Sequence, residues 1–418
     1  MNNKTAIVLG GTVPHCELIR QLKTRGYYTI LIDYLDDSPA KGIADEHVQE
    51  STLDREAVLK EAQKRNAELI ISGCVDQANV TACYVMEKMG LKPPYSYNAA
   101  MRAANKTTMK QGMMNCGVLT SRYMVVSNYV ELDDNLRYPF MVKPSDSNSA
   151  NGVKEVSNKE ELKRAVEEAL SISRDGQAII EEVVTGQEIS AYCVIKDHKA
   201  KLLMTAERLS VQDGSDKVIK CYATIAPAHI EKDNEIEAEE IATRLANEFE
   251  IDNSLLFFQG IIDKDGNINV IEFAPRTGGG SCFKTIKGNT GFDVISATID
   301  SWTGNTVDLK TWHYPSGIYV VNTVYGRDGV YKKITGADEL IDTDVIEDIL
   351  HIRMPGDRLD GKRASSSRVC FFIVKADSEK EMISKIETAY TKLDVLSEEG
   401  ESLIRKDLSL SKILKNEK

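Results

Sequence analysis

One segment limits the folds open to this chain more than any other. Val270-Ile271-Glu272-Phe273-Ala274 is a β-rich run that breaks at Pro275 into Arg276, Thr277 and three glycines, Gly278 to Gly280. Proline removes a ladder donor and glycine weakens a strand, so the run has to end there. A hairpin opening at Gln259 precedes it, with an oxygen-bearing side chain at each end. In extended chain, two such donors can converge on one Mg²⁺, whose remaining positions suit phosphate oxygens. Arg276, four residues after Glu272 and beside bare glycine backbone, suits a phosphate or carboxylate drawn to that metal. A plain hairpin with a charged end has the same local pattern, so the rest of the chain has to decide.

The 418 residues allow two or three domains and a large core. A net charge of −12 counts against a nucleic-acid-coating role while leaving local anion sites open. The first ten residues run into the strand Thr5–Leu9 without a charged-then-apolar leader. No apolar run approaches bilayer-spanning length. The expectation is a cytoplasmic protein with no membrane or nucleic-acid partner. Eight cysteines (Cys16, Cys74, Cys83, Cys116, Cys193, Cys221, Cys282, Cys370) include no C-x-x-C pair, which points to reduced buried thiols rather than zinc or iron–sulfur ligation. Cys282 follows the glycine run, but no histidine lies near it in sequence, so a buried thiol is favoured over a nucleophile.

Residues 1 to about 105 alternate apolar strand runs with helical patterns, which implies a parallel sheet covered on both faces. Gly10-Gly11-Thr12 and Asp33 form a weak dinucleotide fingerprint. Pro14 and His15 stand where further glycines would be required, so a tight turn open to any small ligand is the better reading. From Asn105 the texture changes. Lys143 ends a strand and is followed by a small-residue loop, Ser145–Val153, whose N–H groups could wrap phosphates around the lysine charge. Ala178–Val184 reads as a strand whose last residues, Glu181, Glu182 and Val184, could present backbone to an adenine edge. Glu188 follows as an acceptor for ribose hydroxyls. Each piece alone is weak, because polar loops and acidic strand ends are usually just solvated. Their shared order with the Gln259–Glu272 hairpin and Arg276 is harder to obtain by chance.

Taken together, the chain resembles the ATP-grasp carboxylate–amine ligases over nearly its full length. The resemblance rests on Asn105-Lys106…Lys110, Pro139-Phe-Met-Val-Lys143-Pro144, the loop Ser145–Val153, Ile180-Glu181-Glu182-Val-Val184 with Glu188, and Gln259…Glu272-Phe-Ala-Pro-Arg276. It implies an α/β protein, α+β in its centre. The expected parts are an N-terminal parallel-sheet domain (1–105), a central ATP-grasp fold (106–305, with a mobile lid at about 118–190) and a small α+β C-terminal domain (306–418). It also implies ATP and Mg²⁺, for which Mn²⁺ can substitute. Lys106 and Lys143 correspond to basic residues touching ATP phosphates, and Ser145, Ser147, Ser149, Gly152 and Val153 to the phosphate-covering loop. Glu181, Glu182 and Val184 correspond to the adenine strand, Glu188 to the ribose acid, Gln259 and Glu272 to the metal ligands, and Arg276 to the acyl-phosphate arginine. Two departures stand out. Gln259 is neutral, as in the carbamoyl-phosphate synthetase branch. Ala274 replaces an asparagine common in the family, as in the carboxyaminoimidazole ribonucleotide synthetases.

The implied chemistry is attack of a substrate carboxylate on the γ-phosphate, with Lys143 and Arg276 stabilising charge, then displacement of phosphate by an amine. The partners expected are a small-molecule carboxylate and amine, with a homodimer common among such enzymes. Candidate substrate contacts are His15 in an exposed turn, Asp76, Arg208, the backbone of Gly278 and Gly279, and the paired arginines Arg363 and Arg368. An amino acid or similar small carboxylate is the leading substrate class. A purine-pathway ribonucleotide, a carbamoyl-phosphate-type subunit needing a partner, an NAD(P) oxidoreductase using Gly10–Thr12 and Asp33, and a non-catalytic binder are the alternatives.

Overall fold

A computed structural model of the chain describes residues 4–128, 136–147, 151–214, 218–361, 364–410 and 413. Near the N-terminus, β1 (Lys4–Leu9), β2 (Tyr27–Asp33), β3 (Glu46–Gln49) and β4 (Leu69–Ile71) form a parallel sheet in the order β3-β2-β1-β4. The uninterrupted apolar runs Ala6–Leu9, Ile30–Ile32 and Leu69–Ile71 are wholly buried, as a parallel sheet covered on both faces requires. The carboxyl ends of β1 and β4 lead into Gly10–Thr12 and Ser72–Asp76, where ligands of such sheets gather. Thr12 ends the first of these turns as N-cap of the helix Val13–Thr24, and Asp76 opens the helix Asp76–Lys88.

The next four strands make a separate antiparallel layer. They are β5 (Tyr123–Val126), β6 (Phe140–Pro144), β7 (Lys154–Val156) and β8 (Ala178–Glu182), in the order β5-β8-β6-β7. One face packs on the helix Lys159–Ile172. Phe140, Val142, Leu162, Val166 and Ile180 form a hydrophobic cluster distinct from the one shared by the N-terminal sheet and the centre. A core of its own marks this layer as a separately packed unit.

The remaining eleven strands assemble one large sheet and one small one. In chain order they are β9 (Gln187–Lys196), β10 (Lys199–Asp213), β11 (Val218–Ala226), β12 (Ser254–Ile262), β13 (Ile268–Ala274), β14 (Ile318–Tyr325), β15 (Gly329–Thr335), β16 (Asp348–His351), β17 (Arg358–Leu359), β18 (Arg368–Ala376) and β19 (Asp394–Ser397). Eight of them form an antiparallel sheet in the order β13-β12-β9-β10-β11-β14-β18-β16, and β17-β15-β19 make a smaller one. The large sheet passes from the centre into the C-terminal part through β11 and β14, with Ala223 opposite Asn322. A second core, around Val320, Phe372, Val374, Ile386 and Tyr390, fills the space between β14, β18 and the helix Glu379–Lys392. Among the described residues no helix is long and apolar enough to cross a membrane.

The turn from the small layer into the large sheet depends on Gly186. Its φ is +155°, and a Cβ there would lie 2.0 Å from the Ile262 carbonyl oxygen. Only glycine tolerates both the angle and the approach. Gly186→Ala should therefore lower stability by about 3 kcal/mol in urea unfolding. Gly42→Ala, where a Cβ meets nothing within 4 Å, should leave it nearly unchanged.

Candidate functional site

The hairpin predicted around Gln259 and Glu272 is β12 and β13, and its register sets the two residues directly opposite each other. Side chains opposite one another in an antiparallel pair share a face, so both project to the same side of the sheet. A register shift follows between Gln259 and Gly260, where a Cβ on the glycine would come within 2.9 Å of Ile268. The Gln259 amide satisfies its surroundings in one orientation. Its NH₂ donates to Glu272 Oε1 at 3.1 Å, and its oxygen accepts from Arg208 Nη1 at 3.3 Å. Arg208, on β10, donates through Nε to Glu188 Oε1 on β9 at 2.7 Å. Glu188, Arg208, Gln259 and Glu272 thus form one polar row across four adjoining strands.

Arg276 leaves β13 after Pro275 and turns toward the N-terminal sheet. Its Nε and Nη2 donate to the two carboxylate oxygens of Asp76, each at 2.6 Å, across 200 residues of sequence. Nη1 donates to the Thr277 carbonyl at 2.8 Å, and the guanidinium plane lies 4.9 Å from the centre of the Phe257 ring. A guanidinium has five N–H bonds, so this anchoring leaves two of them, on Nη1 and Nη2, for an anion. Asp76 was expected as a substrate contact; here its carboxylate clamps the arginine. A small cleft lies between Asp76, Lys106, Phe257, Glu272 and Arg276.

Lys106 opens the helix Lys106–Asn115, capped by Asn105, whose side chain accepts from the N–H groups of Thr107 and Thr108. Its Nζ donates to the Ser147 carbonyl at 2.6 Å, tying the helix start to the small-residue loop. Ser147 Oγ donates to the Asn151 carbonyl at 3.0 Å. Ser145 is committed elsewhere: it is buried, its hydroxyl donates to Asp175 and its N–H to the Gln177 carbonyl. Gly152 has a φ of +74°, and a Cβ there would strike Ile172 and Pro144. Val153 is half-buried beside it. Ser149 and Arg363 lie outside the described residues.

Below the loop is a buried ionic group. Glu181 bridges two lysines, pairing with Lys143 through Oε1 and with Lys110 through Oε2 at 2.8 Å. Burial opposes the charge on Glu181, but the two ammonium groups overcome it and hold its pKa at about 2. Lys110 also donates to Thr120 and Ser121, at 2.8 and 3.0 Å, and burial lowers its own pKa. The Glu181 backbone sits in the ladder between Tyr123 and Met141. Glu182 donates its N–H to the Arg122 carbonyl, and its carboxylate accepts from Arg137 N–H. The strand ends at Glu182, which leaves Val184 in the connection to β9. Sequence reasoning quoted Lys110 without giving it a role; its i, i+4 spacing from Lys106 was the available signal.

Other candidates are placed as follows. His15 is fully buried rather than exposed in a turn. Pro14 starts the helix early, so the imidazole points inward and Nδ1 accepts from Thr12 N–H at 3.1 Å. Nε2 meets Ser72 Oγ at 3.1 Å, and burial lowers the pKa to about 4, so the ring is neutral. Asp33 is buried, and its two oxygens accept from Gly11 N–H at 2.6 Å and Leu35 N–H at 2.8 Å, so its carboxylate holds the two turns together. Gly278 packs on Tyr192 and Cys282, whereas a Cβ on Gly279 would meet open space. The Cys282 thiol donates to the Gly278 carbonyl at 3.0 Å, and burial pushes its pKa up to about 11, as suits a structural thiol. Arg368 opens β18 beside Tyr325, 5.8 Å over the Phe371 ring.

The chain is similar to several known proteins. Residues 136–285 match the model of the ATP-grasp domain family. The chain is 26% identical over 281 residues to a formate-dependent phosphoribosylglycinamide formyltransferase of Sulfurisphaera tokodaii, covering 65% of this chain and 70% of that one. It superposes on an L-amino acid ligase from Bacillus licheniformis with a TM-score of 0.79 at 16% identity, over 95% of this chain and 100% of that one. A biotin carboxylase domain from Hydrogenobacter thermophilus, solved with MgADP and bicarbonate, superposes with a TM-score of 0.77 at 18% identity, over 99% and 94%. At such identities the structural likeness is one of fold.

The ionic group makes a pH-dependent contribution. Glu181 is depressed from 4.5 to about 2, so its stabilisation is present above about pH 4.5 and disappears as pH falls toward 2. Glu181→Gln should cost about 3 kcal/mol near neutral pH by leaving two buried lysines without a counter-charge. In urea unfolding, the gap between the variant and the parent should close across that acid range.

Proposed function

We propose that the chain, whose residues 136–285 match the ATP-grasp domain family, is an ATP-dependent ligase that joins a small carboxylate, an amino acid or close analogue, to an amine. The product would be an amide, formed through an acyl phosphate with release of ADP and phosphate. The observation that supports this most is the state of Arg276. Asp76 and Thr277 hold it beside Glu272 with two N–H bonds to spare. Such an edge can take two oxygens of one carboxylate or phosphoryl group.

Glu272 fits a divalent ion. Its Oε1 takes the Gln259 N–H, and its Oε2 has no protein donor among the described residues. No group of three or more His, Cys, Asp or Glu converges there or elsewhere among them, so the ion would need nucleotide oxygens to complete its shell. When bound there, Mg²⁺ would supply positive charge to offset that of the nucleotide phosphates. Lys106 and Lys143 would neutralise the same phosphates, and Glu188 would accept from the ribose. Arg276 would hold the substrate carboxylate in line with the γ-phosphorus and then the acyl phosphate against hydrolysis. The amine attacks the acyl carbon, phosphate leaves, and no covalent bond to the protein forms.

A purine-pathway substrate is the second reading. The name of the Sulfurisphaera relative favours it, as does Arg368 at the start of β18, a cation on the C-terminal side that could receive a substrate phosphate.

Phosphate release from Mg-ATP, measured against free amino acids singly and in pairs, tests the proposal. Release that depends on one particular pair is expected. Release that responds only to a ribonucleotide amine would move the assignment to the second reading. Glu272→Ala and Lys143→Ala should each lower kcat by about 100-fold or more while the proteins still unfold cooperatively. Asp76→Ala should lower kcat and have no further effect on an Arg276→Ala background, because it acts through that arginine.

A further inference from the structure

We propose that Arg208 takes, with a fixed guanidinium, the place of a second divalent ion, so that the nucleotide site binds one Mg²⁺ and binds it on Glu272. This rests on the nucleotide reading above and concerns what that site does with charge.

Three observations carry it. The hairpin offers a single carboxylate to metal, because Gln259 is neutral and Ala274 has no donor at all. The oxygen that Gln259 would need for ligation already accepts from Arg208 Nη1 at 3.3 Å, while its NH₂ faces Glu272. A metal ion seated on that oxygen would lie against a cation that is itself anchored, and the two charges would repel. The anchor is Glu188, which holds Nε at 2.7 Å and draws the side chain along the sheet surface toward β12.

The guanidinium is well suited to the role. It stays protonated at any pH a protein survives, and its planar fork can meet two phosphate oxygens together. The Arg208 side chain is 28% exposed, enough to be reached from the face that carries Glu272. Among the described residues, Nη2 donates to no protein group. Arg208 therefore links the expected ribose acceptor, Glu188, to Gln259 and through it to Glu272.

The test is the number of Mn²⁺ ions bound by the full chain with the β,γ-imido analogue of ATP. Free Mn²⁺ is read by electron paramagnetic resonance, and bound analogue by equilibrium dialysis. One Mn²⁺ per bound analogue is expected for the parent, and two would overturn the proposal. The double variant Arg208→Gln/Gln259→Glu restores an acidic pair and removes the fixed cation. It should bind two Mn²⁺ per analogue, and one would show that Arg208 does not fill the second place. If the parent binds no analogue, the nucleotide reading fails and this inference falls with it. Bound analogue with the wrong ion count sinks the inference alone.

Discussion

The register of β12 against β13 is the constraint on which the candidate site depends. Because side chains alternate faces along a strand, a slip of one residue would turn Gln259 to the opposite side of the sheet from Glu272. It would also separate Phe257 from Ala274 and carry Arg276 away from the ring it lies over. The irregularity after Gln259 and the close approach at Gly260 hold this register. Pro275 ends the ladder, so that Arg276 can leave the plane of the sheet. The same sheet continues without a break to β14, β18 and β16. Glu272 and the C-terminal Arg368 are thereby set on one continuous sheet.

Charge is arranged around that frame in closed groups. Arg276 is balanced by Asp76, Arg208 by Glu188, and Lys143 with Lys110 by Glu181. Each of these four cations has a carboxylate partner from another element, which lowers the cost of leaving a charge unpaired in a poorly hydrated place. The partners also connect parts of the molecule. Asp76 joins the N-terminal sheet to the hairpin. Glu181 joins the small layer to the helix that opens at Lys106. A ligand that recruited Lys143 would alter the charge balance at Glu181.

Much of this was legible in the chain. The apolar runs of β1, β2 and β4, the hairpin with its two oxygen-bearing residues, and the break at Pro275 follow from local rules: burial on both faces, period-two alternation and proline chemistry. Strand β3, Glu46-His-Val-Gln, has neither alternation nor an apolar run. It exists because β2 offers it an edge to pair with. His15 illustrates the opposite failure. A turn reading exposed it, whereas a helix beginning at Val13 buried it as a neutral cap.

Sequence by itself determined which residue types could carry the chemistry and in what order they come: the basic residues, the small-residue loop, the acids, the hairpin and the arginine. Tertiary structure alone decided what each one faces. That Asp76 clamps an arginine 200 residues away is written in no local pattern. The same holds for the committed hydroxyl of Ser145, for Lys110 as the second partner of Glu181, and for Arg208 as the donor to the Gln259 oxygen. The reason is physical. Strand pattern and turn chemistry act over a few residues, while the partner of a buried charge is chosen by whichever element folding brings within hydrogen-bonding distance.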